Sequence, residues 1–394
     1  MPNKDKKTPF TDKLNIRYIF GMKLRNFRHE KGYGLKELAA LTGLSVSYIN
    51  EIEKGKKYPK AEKIMNLADG LGVGYDDLVS ISMTGQLAKI KELFLSSTVL
   101  GSFPFQLFGI TFENVIELFT ASPKKAAALI STLMEISRAY DMNVEQFFLA
   151  SLRAFQEMHN NYFEEFEELA EEYADKHKWK RFPPATREEL ISTLRKVHGV
   201  EARVADFSLY PELSGQRFIF LPGKPPQLLL NDQLNPSQHV YSIVLQIGYS
   251  ELKIGKHLRT SPWKKFGSFE EVMDNFRASY FAGALMINRF QAEKEIQELF
   301  QSKTWDGEAI LKLLKHHEVT PETFLHRLSQ ILPGLFKINE LHFLRFEHMI
   351  GKNDIRLTKE LNMPRTLVPS GVSLDEHYCR RWLPVSLLKE LETE

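Results

Sequence analysis

The stretch LKELAALTGLSVSYINEIEKG, residues 35–55, constrains this chain more than any other. Leu35, Leu38 and Ala39 fall at helical spacing, and Ile49 and Ile52 do so again after the break at Thr42-Gly43. That pattern predicts two short helices joined by a tight turn. Ser45 stands where a hydroxyl caps the free N–H groups of the second helix. The flanking sequence extends the set to five helices over residues 16–80. Ile16, Phe20, Leu24 and Phe27 form the buried stripe of the first, which Gly32 ends. Ile64, Leu67, Ala68 and Leu71 line a fourth, after Gly55 and Pro59, and a short fifth starts at Asp76-Asp77.

Apolar, small and glycine positions agree over about 20 residues here, and the segment 24–59, LRNFRHEKGYGLKELAALTGLSVSYINEIEKGKKYP, resembles the XRE (Cro/repressor-like) helix-turn-helix family. The resemblance implies a λ-repressor-like fold that reads double-stranded DNA. It also implies an ion pair between the first and third helices, here Arg28 with Glu53. Gly34 departs from the Ser or Thr common at the start of the second helix, but glycine is an acceptable cap. A recognition helix enters the major groove N-terminus first. Val46, Ser47 and Glu51, opposite Ile49 and Ile52, are then the base readers: Val46 against a thymine methyl, Ser47 as donor or acceptor, Glu51 accepting from cytosine N4. Ser45, Asn50, Lys54, Lys56 and Lys57 are placed on phosphates, which set register without reading sequence. Such domains bind as dimers to half-sites a helical turn apart, so a homodimer is expected.

Charge agrees with that assignment. Residues 1–80 hold 15 Lys and Arg against 10 Asp and Glu, a charge of +5, on a chain whose total is +2. A basic first fifth on a mildly acidic body is suited to a polyanion. The 394 residues suggest two to four domains, and 43% hydrophobic with 26% charged residues is ordinary for a soluble protein. The single cysteine, Cys379, forbids an intrachain disulfide, an all-cysteine zinc site and an iron–sulfur cluster within one chain. It is expected to be a packed thiol in a reducing cytoplasm. No apolar run approaches the ~20 residues of a membrane span, and the leader MPNKDKKTPFTDK reads as a flexible basic tail, not a signal peptide.

The expected class is mainly α. Residues 1–15 are the tail and 16–80 the DNA-binding domain. Residues 81–180 form a helical coupling or dimerisation region, with helical periodicity over 113–121, 123–140 and 144–176. FPFQLFGITF, residues 103–112, reads as an aromatic-rich loop before them. From 181 to 300 the order is a helix at 186–197, strands near 201–204, 217–221 and 227–230, then helices at 236–249 and 269–290. Residues 301–394 form a C-terminal α/β extension. The order in 181–300 resembles the ImmA/IrrE-type metallopeptidases, a zincin-like α+β fold whose first long helix carries H-E-x-x-H. Two His ligate zinc there and the Glu is the general base. Here Leu245, Gln246 and Tyr249 occupy those three places, and the third ligand position falls near Asn275. A leucine cannot ligate zinc and a glutamine cannot take a proton, so a degenerate domain with no metal, no cofactor and no enzymatic activity is expected. His316 and His317, adjacent on a helix, are expected to point in different directions and to hold no metal.

The whole arrangement resembles the RamB-type family of short-chain fatty acyl transcriptional regulators, most strongly at RASYFAGALMIN (277–288), VTPETFLHRLSQILPG (319–334) and EHYCRRW (376–382). That implies control of short-chain acyl metabolism with an acyl-CoA or related effector. The cysteine-held iron–sulfur cluster of some relatives is not carried over, because Cys379 stands alone. Cations for the effector's phosphates are expected at Lys253, Lys256, Arg259, Lys264 and Lys265, around Trp263, or at Arg380 and Arg381; surface charge and structural pairing explain the same residues. Two further functions compete: a zinc-dependent peptidase acting on a repressor, and a DNA-binding protein controlled by a protein partner.

Overall fold

The computed structural model describes residues 16–80, 105–110, 114, 132, 135, 144–179, 186–213, 215–255, 257, 259–261, 267–304, 306–348, 355–362 and 383–391. The chain divides into two compact units, 1–151 and 152–394. The basic tail and most of the expected 81–143 helices lie outside the described residues. The described part of FPFQLFGITF contains a 3-10 turn at Phe105–Phe108.

In the first unit the five expected helices are α1 (Ile16–Glu30), α2 (Leu35–Thr42), α3 (Val46–Glu53), α4 (Ala61–Leu71) and α5 (Tyr75–Val79). Phe20, Leu24, Leu38, Ile49, Ile52, Ile64, Leu67, Ala68, Leu71 and Leu78 form one core. The α1 stripe differs from expectation at its start. Ile16 is exposed and Ile19 is buried. The turn between α2 and α3 is fixed by Gly43 at φ +67° and by Ser45, whose Oγ accepts from the Tyr48 N–H at 3.2 Å. At Gly34 the side-chain cap is missing, and the Glu37 carboxylate accepts from the Gly34 N–H instead, at 2.6 Å. Lys23 crosses to the far end of the bundle. Its ammonium donates to the Asp77 and Ser80 carbonyls at 2.9 and 2.7 Å, closing the C-terminus of α5.

The second unit is a four-stranded mixed sheet packed with helices, plus a hairpin. Its elements are α6 (Val144–Met158, within which the division falls), α7 (Glu164–Lys176), α8 (Arg187–His198), β1 (Glu201–Ala205), β2 (Phe218–Leu221), β3 (Gln227–Asn231), α9 (Pro236–Glu251), β4 (Thr260–Ser261), α10 (Phe269–Met286), α11 (Arg289–Gln301), α12 (Gly307–His317), α13 (Pro321–Phe336), β5 (His342–His348), β6 (Ile355–Asn362) and α14 (Leu383–Leu391). The sheet order is β1-β3-β2-β4, with β1 parallel to β3 and the other pairs antiparallel. β5 and β6 form an antiparallel pair. Among the described residues no helix is long and apolar enough to cross a membrane.

Two helices expected to be continuous are broken. The run 144–176 splits into α6 and α7 at Asn160 and Asn161, both left-handed at φ +51° and +52°. Asparagine tolerates that conformation, and the buried Asn161 amide donates to the carbonyl and hydroxyl of Ser329 on α13. The run 269–290 ends at Met286, because the Asn288 side chain accepts from the Phe290 and Gln291 N–H groups and starts α11. Periodicity does not register either break, since apolar spacing continues through it.

α9 and α10 are buried on nearly all sides, which accounts for the run IVLQIGY. They touch at Gly248, where an added Cβ would lie 2.9 Å from the Ala278 carbonyl oxygen. A buried polar cluster ties α7, α10 and α13 together. Arg327 donates to both Glu167 oxygens at 2.7 and 2.6 Å and to the Ile287 carbonyl at 3.0 Å, while the Tyr280 hydroxyl donates to Glu167 at 2.8 Å. A charge pair so deep persists only when its hydrogen bonds are filled in this way.

Candidate functional site

The orientation of α3 is set from behind. α1 approaches so closely that a Cβ on Gly21 would collide with the Ile52 carbonyl oxygen. Beside that contact Arg28 grips Glu53 with two parallel bonds of 2.6 and 2.8 Å, and its third arm donates to the Tyr33 carbonyl at 2.8 Å. The pair is almost wholly buried, at 8% and 4% side-chain exposure, so it acts as a structural clamp with no surface to offer a ligand. α2 is held in turn by α4, where a Cβ on Gly70 would meet Thr42 Cγ2 at 2.7 Å.

The face this leaves outward carries Ser45, Val46 and Ser47, all exposed, with Asn50 and Glu51 half-exposed. Val46 is an apolar residue 38% exposed at the leading end of a helix whose Ile49 and Ile52 are fully buried. Lys54, Lys56 and Lys57 follow the C-terminal end and are exposed. Two of the expected contact residues bind each other: Lys57 Nζ lies 2.8 Å from Glu51 Oε2. That bond and the attraction of the Glu51 charge raise the Lys57 ammonium above its ordinary range. The Glu51 carboxylate is therefore already engaged on the outward side of α3. Two lysines beyond the expected set complete the basic edge. Lys63 sits over the Tyr48 ring at 4.3 Å from its centroid, and the exposed Lys60 caps α4. The continuing basic run 54–63 was the available signal for both.

In the second unit the metallopeptidase-like positions assemble. Gln246 and Tyr249 are buried on α9, and the Tyr249 hydroxyl donates to Asn275 Oδ1 on α10 at 3.2 Å. His257, from the loop after α9, donates through Nδ1 to Gln246 Oε1 at 3.0 Å and stacks on Phe220 and Tyr249, with centroids 4.5 and 5.3 Å away. Burial, aided by the His198 charge, pushes the His257 imidazole down to about 4. Burial likewise raises the Tyr249 phenol far above its ordinary range. This donor set does not fit zinc. Leu245 offers no lone pair, Tyr249 stays protonated, and the Gln246 amide cannot act as a base. Its Nε2 is buried without a partner among the described residues. Among those residues no group of three or more His, Cys, Asp or Glu could hold a metal ion.

His316 and His317 do not diverge as expected. Both ring Nε2 atoms reach the Glu295 carboxylate, at 3.5 and 2.6 Å, because α12 ends there and α11 presents Glu295 to its last turn. Of the expected effector cations, Lys253 lies in the turn after α9 and Arg259 just before β4, both exposed. Lys256, Lys264, Lys265, Arg380 and Arg381, with Trp263 and Cys379, lie outside the described residues.

Comparison with known proteins agrees with both halves of this description. The helix-turn-helix domain family matches residues 19–80, and the IrrE N-terminal-like domain family matches 195–329. The HTH-type transcriptional regulator RamB of Mycobacterium tuberculosis is 22% identical over 325 residues, 79% of this chain; the chain spans 65% of RamB's length. YazB of Bacillus subtilis, described as an uncharacterized HTH-type transcriptional regulator, is 42% identical over 60 residues, covering 15% of this chain and 87% of YazB. A solved structure of a Mycobacterium tuberculosis transcriptional regulator is similar at a TM-score of 0.42 and 17% identity, over 60% of this chain and 66% of that one. The chain belongs to the XRE-type helix-turn-helix transcriptional regulators and joins that DNA-binding domain to an IrrE-like domain.

Proposed function

We propose that two copies of this chain bind one operator through α3 and that the second unit is a non-hydrolytic sensor of a small metabolite. The observation that carries the DNA-reading part is the outward face of α3: a capped leading end with Val46 and Ser47 exposed, a buried Arg28–Glu53 clamp behind, and Lys54, Lys56 and Lys57 along its exit. Val46 and Ser47 read base edges, with Glu51 as a third reader. Ser45, Asn50 and the lysines hold phosphates, with Lys60 and Lys63 extending that edge. One domain covers only a few base pairs, so a homodimer on half-sites one helical turn apart supplies the specificity.

The sensor reading is supported by the closed metallopeptidase-like centre, in which Tyr249, Asn275, Gln246 and His257 bond to one another instead of presenting ligands. The resemblance to RamB-type regulators favours a short-chain acyl-CoA as effector. Control requires that the effector bind two conformations unequally.

Selection of duplexes from a random pool by the full chain tests the first part. Enrichment of paired half-sites is expected, and a pool without sequence preference at moderate salt would refute it. An acyl-CoA at ~100 times its Kd should add about 2.7 kcal/mol of stability in a thermal-shift assay. Stoichiometric zinc with hydrolysis of a peptide substrate would replace the sensor by a peptidase. A DNA affinity changed by a protein alone would replace the small molecule by a partner.

A further inference from the structure

The start of α4 breaks two rules of helix stability at once. Its cap position holds Lys60, which makes no side-chain cap, where Ser, Thr, Asp or Asn would be preferred. Its first turn holds a second cation, Lys63, at the end of the helix where the macrodipole disfavours positive charge. In that turn Glu62 alone has the favoured sign. Local choices that work against stability mark functional positions.

Lys63 is half-exposed, and it has a fixed seat. Its ammonium lies 4.3 Å from the centroid of the Tyr48 ring, well inside the ~6 Å reach of a cation–π contact. Lys57 stands near the limit of that reach, 5.7 Å away. The seat is itself held. Tyr48 packs against the core of the first unit, and its backbone N–H donates to the Ser45 cap. Tyr48 directly follows Ser47, so the seat lies at the leading end of α3.

The two lysines differ in what holds them. Lys57 pairs with Glu51, a carboxylate that offsets its charge. The face of an aromatic ring attracts a cation through its quadrupole and leaves the charge whole. Tyr48 therefore orders Lys63 without neutralising it. Ordering matters because a long lysine side chain otherwise surrenders its rotamer freedom when it binds.

We propose that Tyr48 is a positioning residue for DNA-backbone contact: its ring holds the Lys63 ammonium beside the leading end of α3, ready for a phosphate. The assignment rests on the reading of α3 as the DNA-facing helix.

The experiment is fluorescence anisotropy of the full chain on a mixed-sequence duplex at low salt. It compares the wild type with Tyr48→Phe, Tyr48→Leu, Lys63→Ala and the double variant Tyr48→Leu with Lys63→Ala. Phenylalanine keeps the ring face, whereas leucine keeps an apolar contact with the core and loses the ring. Tyr48→Leu should weaken binding by about fivefold in a dimer, which carries the contact twice, and Tyr48→Phe should stay within about twofold of the wild type. In the Lys63→Ala background Tyr48→Leu should cost less than about twofold. A general distortion of α3 would cost the same with or without Lys63, so the cycle separates positioning from folding, and thermal melting checks that each variant is folded. Wild-type affinity in Tyr48→Leu, equal loss in the two backgrounds, or Tyr48→Phe as weak as Tyr48→Leu overturns the inference. A wild type that binds no duplex refutes the reading of α3 itself, and the inference with it.

Discussion

Replacing Lys56 by alanine should change the salt dependence of operator binding more than replacing its neighbour Lys57. Each phosphate neutralised by a lysine contributes about 0.9 to the slope of log affinity against log salt. A homodimer presents Lys56 twice, so Lys56→Ala should flatten the slope by about 1.8. Over a fourfold rise in salt, the wild type should then lose about twelvefold more affinity than the variant. Lys57 carries its own counter-charge, the Glu51 carboxylate at 2.8 Å, and so displaces fewer counterions on binding. Lys57→Ala should flatten the slope by less than half as much, and Glu51→Gln should steepen it by freeing Lys57. The assay is fluorescence anisotropy on operator and random duplexes at a series of salt concentrations. Lys56→Ala should weaken both duplexes by the same factor. Equal slopes for the two lysine variants, or a base preference altered by Lys56→Ala, would refute the placement of these side chains.

Other perturbations bear on the remaining links. Ser47→Ala should relax discrimination at one base position by roughly 1–3 kcal/mol, read by selection on a mutated operator series, with little effect on random DNA. Arg28→Met strands the buried Glu53 charge and should cost about 3–5 kcal/mol in urea unfolding, whereas Arg28→Met with Glu53→Met should recover most of that loss. The same logic holds for Arg327→Met, which leaves Glu167 with the Tyr280 hydroxyl as its remaining donor among the bonds described. The His257 imidazole, held down at about 4, binds its proton more weakly folded than unfolded. Stability should be level above about pH 6.5 and fall as pH drops from there towards 4, because the unfolded chain then binds more protons. His257→Phe should reduce that fall in acid melts, with the other imidazoles that burial holds down, His29, His177, His198 and His326, contributing to what remains.

The first unit was legible because each of its turns is made by local chemistry. Gly43, Ser45 and the Ile49/Ile52 spacing specify α3 within a dozen residues, and the structure differs in this unit chiefly at Ile16, which is exposed. The Glu51–Lys57 bond was not legible. Nothing in a spacing of six tells whether the chain leaving α3 folds back on it, as it does when the Lys57 N–H bonds to the Glu51 carbonyl at 3.3 Å. In the second unit the H-E-x-x-H register placed Gln246, Tyr249 and Asn275 in one neighbourhood, since α9 and α10 are long and their offset follows from length. His257 in the same centre was missed because it comes from a loop. The breaks at Asn161 and Asn288 were missed because their causes are a partner 168 residues away and a side-chain cap hidden inside an apolar rhythm.

The missing Cβ at Gly21 has a consequence for how operators and regulators of this build can change together. With one backbone resting on another there is no slack through which α3 could tilt or slide to meet a new site. Any larger residue at 21 pushes against the Ile52 carbonyl itself. On the proposed docking, new preferences then arise by exchanging side chains at 46, 47 and 51 on an unmoving mount, one base step at a time. Descendants of this domain should accordingly diverge at those letters while inheriting the same angle of approach to the double helix.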